Sequence, residues 1–222
     1  MILLDSGKVP VDGSEIRLYQ RGDEYLIKLK GAVLMNSRMH GSEEALAELG
    51  CKVVANKEDA SILVGGLGMG FTLTAALKQV KPSAVVEVAE LVPAVIRWNQ
   101  SFIGHLAGRP LEDSRVQVFE SDVAKRLNFG QQRFDTILLD VDNGPEGLTQ
   151  KDNNWLYSEA GLQAAKNSLK PGGVLAVWSE GASPMFTQRL RGVGFKVEEA
   201  RPRFHGKGRG GRHMVWLAAR PA

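Results

Sequence analysis

The segment Ser61-Ile-Leu-Val-Gly-Gly-Leu-Gly-Met-Gly-Phe-Thr72 constrains the fold most, because an apolar run breaks into alternating glycines and then resumes with helical spacing. Such a pattern reads as a buried strand, a tight turn and a helix start. Gly66, Gly68 and Gly70 allow φ > 0 and let the backbone approach a ligand closely, while the helix N-terminus offers unpaired N–H groups. A nucleotide-like molecule suits this turn. In a dinucleotide fingerprint the last glycine would fall where Phe71 stands, so the spacing points to S-adenosylmethionine rather than NAD.

Around this turn the chain changes rhythm. Residues 15 to 35 alternate in short apolar steps broken by Arg21-Gly22-Asp23 and Gly31, which predicts two or three small antiparallel strands. A helix is predicted over 42 to 49, stopped by Gly50. Strands are then predicted at 61–66, 84–89, 115–120, 134–140 and 173–179, interleaved with helices at 70–79, 91–104, 122–128, 154–169 and 183–192. This alternation argues a parallel sheet covered by helices on both faces. Lys170-Pro-Gly-Gly173 reads as a helix end that launches the next strand, and the tail gives two strands, 194–200 and 213–219, as a terminal hairpin. The expected division is a small β-region plus helix over 1–50 and a donor-binding domain over 51–222.

In an open α/β sheet, ligands sit beyond the carboxyl ends of the strands near the switch in strand order. Glu90 lies there, about twenty residues past Gly70, where an acid can accept both ribose hydroxyls of a bound donor. Glu87 is its rival but falls inside the strand. Asp122 ends the next strand and could accept an adenine amino group. Both also suit helix N-caps. The fourth strand runs into Asp140-Val-Asp-Asn-Gly-Pro145, where Asp140 could hold the cationic donor or take a proton from an incoming amine, and Asp142 could position that amine. The same residues are also good turn formers. Four scattered histidines, His40, His105, His205 and His213, offer no metal-ligand spacing with the single cysteine, Cys51, so no metal is expected.

Gly65-Gly-Leu-Gly-Met-Gly70, Val88-Ala-Glu-Leu-Val-Pro-Ala-Val95, Glu120-Ser-Asp122, Phe134-Asp-Thr-Ile-Leu-Leu-Asp-Val-Asp142, Leu156-Tyr-Ser158 and Leu169-Lys-Pro-Gly-Gly173 together resemble the spermidine synthase family. That family is a branch of the class I S-adenosylmethionine-dependent methyltransferase superfamily. The resemblance implies a Rossmann-like α/β fold: a seven-stranded, mostly parallel sheet with a terminal antiparallel hairpin, preceded by a small N-terminal β-region. It also implies Glu90 on the donor ribose, Asp122 on adenine, Asp140 as the catalytic aspartate, and a homodimer. Departures accompany the matches. Gly68 stands where aminopropyltransferases look acidic, Leu67 replaces a glycine, and Leu34 and Glu43 stand where they use glutamine and tyrosine. Asn143-Gly-Pro145 also differs from their usual Ser/Thr-Asp-Pro. A diamine needs polar anchors at both ends, so the expectation is an S-adenosylmethionine-dependent methyltransferase acting on a small acceptor. The alternative is a polyamine aminopropyltransferase using decarboxylated S-adenosylmethionine and an amine.

The remaining feature is the basic stretch Arg201-Pro-Arg-Phe-His-Gly-Lys-Gly-Arg-Gly-Gly-Arg212, which could grip phosphates. Phe204 is its lone ring, whereas single-strand binders stack bases on several, so a charged hairpin tip is preferred, with a nucleic-acid-binding or a non-catalytic member of the fold as further alternatives. The overall charge of +3 does not announce a nucleic-acid partner. The start, Met1-Ile-Leu-Leu4, turns polar at Asp5 and lacks the apolar stretch of a signal peptide, and one cysteine suits a reducing compartment. A cytoplasmic protein without membrane association is expected.

Overall fold

The computed structural model describes residues 1–128, 132–141, 155–202 and 213–222. Four antiparallel strands open the chain: β1 (Ile2–Lys8), β2 (Glu15–Arg21), β3 (Glu24–Leu29) and β4 (Ala32–Asn36), paired in that order. Two or three strands are expected over residues 15 to 35, where β2, β3 and β4 lie. The edge strand β1 was read only as a polar-turning N-terminus, because its exposed Ile2 and Leu3 leave no alternation to detect.

Helix α1 (Gly41–Gly50) follows, then a 3-10 turn at Cys51–Val54. Gly50 does not end α1 through a left-handed cap, since its φ is −69°. Its role is steric. A Cβ there would lie 2.5 Å from Leu138 Cδ2 and 2.8 Å from Ala176 Cβ, so only glycine lets the helix lie this close to the sheet.

The larger sheet alternates as expected: β5 (Ser61–Gly65), α2 (Phe71–Gln79), β6 (Val85–Glu90), α3 (Pro93–Ser101), β7 (Val116–Glu120), α4 (Val123–Asn128), β8 (Phe134–Leu139), α5 (Glu159–Ser168), β9 (Leu169–Ser179), α6 (Pro184–Gly192), β10 (Lys196–Ala200) and β11 (Met214–Ala219). The spatial order is β10-β11-β9-β8-β5-β6-β7, with β11 antiparallel to both of its neighbours. Connections leave β5 in one direction through β6 and β7, then resume on its other side with β8, so the switch in strand order lies between β5 and β8.

Several boundaries differ from the sequence reading for identifiable reasons. Helix α3 starts at Pro93, whose fixed φ suits a first helical position, and gives way to a separate 3-10 turn at Gly104–Ala107. Helix α5 starts only after Ser158, whose hydroxyl accepts the Gly161 amide at 3.2 Å. Strand β9 begins at Leu169, not at 173: Phe134 pairs with Leu169 and Thr136 with Val174, so Lys170 to Gly173 bulge from the ladder rather than precede the strand.

Alternation across β8 divides the interior. Leu138 faces a layer with Leu46, Ile62, Leu73 and Trp98, to which Leu18 and Ile27 of the N-terminal sheet contribute. Ile137 and Leu139 face a second layer with Leu162, Phe186 and Trp216. The first layer is the one α1 and α2 cover, and the candidate site opens at its carboxyl rim. No described helix is long and apolar enough to cross a membrane.

Candidate active site at the carboxyl rim

Strand β5 ends in Gly65, and the chain then turns through Gly66 (φ 88°), Gly68 (φ 52°) and Gly70 (φ 86°) before α2 begins. All three glycines therefore use left-handed backbone, which a side chain would strain. Gly66 has a second constraint, because a Cβ on it would collide with the carbonyl oxygen of Asp140. The loop is pinned from several sides. Gly66 N donates to Ala89 O at 2.9 Å, Asp140 N donates to Gly65 O at 2.9 Å, and Asn99 Nδ2 donates to Gly68 O at 2.8 Å. Met35 of β4 reaches over it, its methyl carbon 2.7 Å from where a Gly68 Cβ would stand.

Glu90 closes β6 and is buried at 7% exposure. Its Oε2 accepts the Leu67 amide and its Oε1 the Val92 amide, each at 2.8 Å. The residue read as a ribose ligand thus also fastens the glycine loop. Glu87, its rival, belongs to a different place: it is buried on the opposite face of β6, in ion pairs with Arg126 (2.6 Å) and Arg133. Two guanidinium partners make it a structural anion. Asp122 sits beyond β7, where its Oδ1 accepts the Ala124 amide at 2.8 Å and caps α4, while the neighbouring Ser121 amide donates to Glu90 O at 3.0 Å. Glu90 and Asp122 therefore stand side by side along the rim.

Asp140 follows β8 across the strand-order switch from Gly66. Its Oδ2 accepts from Thr72 Oγ1 at 2.5 Å. Glu43, 8% exposed in the first turn of α1, is the second anion of this corner, and Ser42 Oγ donates to its Oε2. No ion pair joins Asp140 or Glu43 to a cation among the described residues. Burial and the field of Glu43 push the Asp140 carboxyl up to about 7, with the Thr72 hydroxyl pulling the other way. A carboxylate poised there can exchange a proton at neutral pH.

Trp178 comes next along the rim, since Leu139 pairs with Val177. Core packing is the default role of a tryptophan. Trp98 and Trp216 fit that, fully buried, with their ring N–H groups donating to Asp5 and Thr187. Trp178 is only partly buried, its Nε1 is buried with no acceptor among the described residues, and its ring lies 5.3 Å from that of His213. On the other flank, His40 stacks on Phe71 at 4.0 Å.

The structure thus brings Gly66, Gly68, Gly70, Glu90, Asp122 and Asp140 to one rim. Asp142 and residues 203 to 212 of the basic stretch lie outside the described residues. Among the described residues no group of three or more His, Cys, Asp or Glu could hold a metal. Sequence reasoning missed Thr72, whose one local signal is a hydroxyl two residues past the last glycine.

Comparison with known proteins bears on what this rim does. The family model for the spermine/spermidine synthase domain matches residues 39–190. A polyamine aminopropyltransferase of Prochlorococcus marinus (strain AS9601) is 27% identical over 124 residues, covering 55% of this chain and 42% of that protein. One from Korarchaeum cryptofilum (strain OPF8) is 27% identical over 120 residues, covering 54% and 35%. The matched segments span less than half the length of these curated relatives. Among solved structures, a spermidine synthase in complex with the transition-state analogue AdoDATO superposes with a TM-score of 0.77 at 20% identity, over 98% of this chain and 73% of that one. The spermidine synthase from Thermotoga maritima gives 0.73 at 19% identity, over 98% and 72%. These structural likenesses establish the fold.

Proposed function

The chain belongs to the spermine/spermidine synthase family, and from that premise we propose that it transfers an aminopropyl group from decarboxylated S-adenosylmethionine to a small amine. The carrying observation is Asp140: a carboxylate at the strand-order switch, beside the glycine loop, raised to about 7 and without a cationic partner among the described residues. The expectation of methyl transfer drew on the missing acid at position 68. Support now lies with the aminopropyl alternative, because the relatives matched in sequence bear that activity in their names and Glu43 supplies a further anion at the corner.

The donor would lie along the rim, its adenosine over Gly66 to Gly70, its ribose hydroxyls on Glu90 and its adenine toward Asp122. The acceptor amine would enter beside Asp140 and Glu43, which favour a cation there. In the transfer, the amine nitrogen attacks the aminopropyl carbon next to sulfur. The new C–N bond forms as the C–S bond breaks, its electrons go to sulfur to leave a neutral thioether, and the excess proton on nitrogen passes to Asp140. Most of the work asked of the protein is to hold donor and acceptor in line, with the base adding its own share.

Incubation with decarboxylated S-adenosylmethionine and a panel of diamines, read by mass spectrometry, tests this. Methylthioadenosine and an aminopropylated amine should appear in equal amounts. Absence of both with every amine defeats the proposal, and S-adenosylhomocysteine formed in a parallel incubation with S-adenosylmethionine would establish methyl transfer instead.

A further inference from the structure

Thr72 has a place in the site that no part of the transfer scheme yet uses. It is the second residue of α2, so it moves with the helix that starts at the glycine loop, and it is 2% exposed. A β-branched hydroxyl this deep must satisfy its proton within the protein. Two oxygens are in reach: Asp140 Oδ2 at 2.5 Å and the Glu43 carbonyl at 3.4 Å. One hydroxyl carries one proton, and the short contact to an ionisable oxygen takes it.

Consequences for Asp140 follow from geometry. A carboxylate can turn about its last bond, and a side chain that rotates freely presents its oxygens at random to an incoming nitrogen. Anchoring Oδ2 removes that freedom and leaves Oδ1 as the outward oxygen. We propose that Thr72 is a positioning residue for Asp140, fixing the carboxylate through Oδ2 so that Oδ1 receives the proton of the attacking amine. Because Thr72 lies two residues past Gly70, the same bond ties the base to the segment proposed to seat the donor. A donor that shifts the loop would shift the base with it.

The electrostatics agree. Elements meeting at this corner bring Glu43 and Glu44 from the first turn of α1, His40 from the turn before it, Glu90 from the end of β6 and His213 from the start of β11. Glu43 is the one whose field acts on Asp140, and it favours the protonated acid, while Thr72 favours the ionised form. The hydroxyl therefore opposes the neighbouring anion as well as fixing the geometry.

The inference rests on the transfer reading for its meaning, but its first test does not. Carboxyl carbon NMR of aspartate-labelled protein, with Asp140→Asn to assign the signal, reports the Asp140 titration directly. Thr72→Val should move its midpoint above the native value, and Thr72→Ser should restore it. In the transfer assay, Thr72→Val should lower kcat roughly tenfold to a hundredfold through misplacement of the base, with donor KM nearly unchanged and the acid limb of the pH profile displaced upward. An Asp140 midpoint equal to the native one in Thr72→Val, or in Thr72→Ala should the valine variant not fold, overturns the inference. So does Thr72→Ser displaced as far as the valine variant. If native protein transfers nothing, the function falls, and the titration still decides the role of Thr72.

Discussion

Asp135 and Asp140 stand at opposite ends of one strand, β8, and their surroundings are opposite in kind. Asp135 is buried at the amino edge, where its two oxygens take Lys57, Lys170 (2.8 Å) and the Ser61 amide (2.9 Å). Burial pushes its carboxyl up, but those hydrogen bonds prevail and hold it below the usual range. Asp140, at the carboxyl edge, meets a second anion and a single hydroxyl and is raised to about 7. The same side chain is a strut at one end and, in the proposed function, the proton acceptor at the other. What separates them, among the described residues, is that Asp135 has two cationic partners and Asp140 has none.

Breaking the reactive end should have the largest effect. Asp140→Asn is expected to lower kcat by about 10²–10⁴, the range for loss of a positioned base, measured on the amine-transfer assay. It should also stabilise the protein at pH 8 relative to pH 5. A carboxyl whose folded-state value lies above its unfolded one gives up stability as pH rises through about 7, and an amide does not. Melting curves of both proteins at the two pH values check the sign, and a stability difference that does not move in favour of the variant from pH 5 to pH 8 contradicts the assignment.

Breaking the strut should do the reverse. Asp135→Ala leaves two lysines and a strand amide without their acceptor, at a cost of about 1–3 kcal/mol in denaturant unfolding, while kcat stays close to native. A large loss of kcat in a folded Asp135→Ala protein would erase the contrast. A smaller change sharpens it: Glu43→Gln removes the opposing field, so the Asp140 midpoint should fall toward the ordinary aspartate value and the acid limb of activity should move to lower pH. An unmoved limb would mean that burial alone sets Asp140.

The parts of this site legible in sequence are those that local rules place. Gly66, Gly68 and Gly70 announce a turn, Glu90 and Asp122 follow apolar runs that end at a sheet rim, and Asp140 follows the most buried strand. Thr72 and Glu43 reach Asp140 from 68 and 97 positions away only because α1 and α2 pack over the switch between β5 and β8, which periodicity cannot report. Strand β1 escaped for a different reason: it is an edge whose apolar residues face outward. The Lys170 to Gly173 bulge escaped because proline and glycine signal a break in either case.

The absent side chain at Gly50 has reach beyond the spot it keeps clear. It sets how closely α1 nests on Leu138 and Ala176, and Glu43 rides at the far end of that same helix. Helix seating and the spacing of the two anions are therefore one mechanical adjustment. On the proposed function, repacking beneath that helix, two turns from Glu43, would retune the acidity at which Asp140 works.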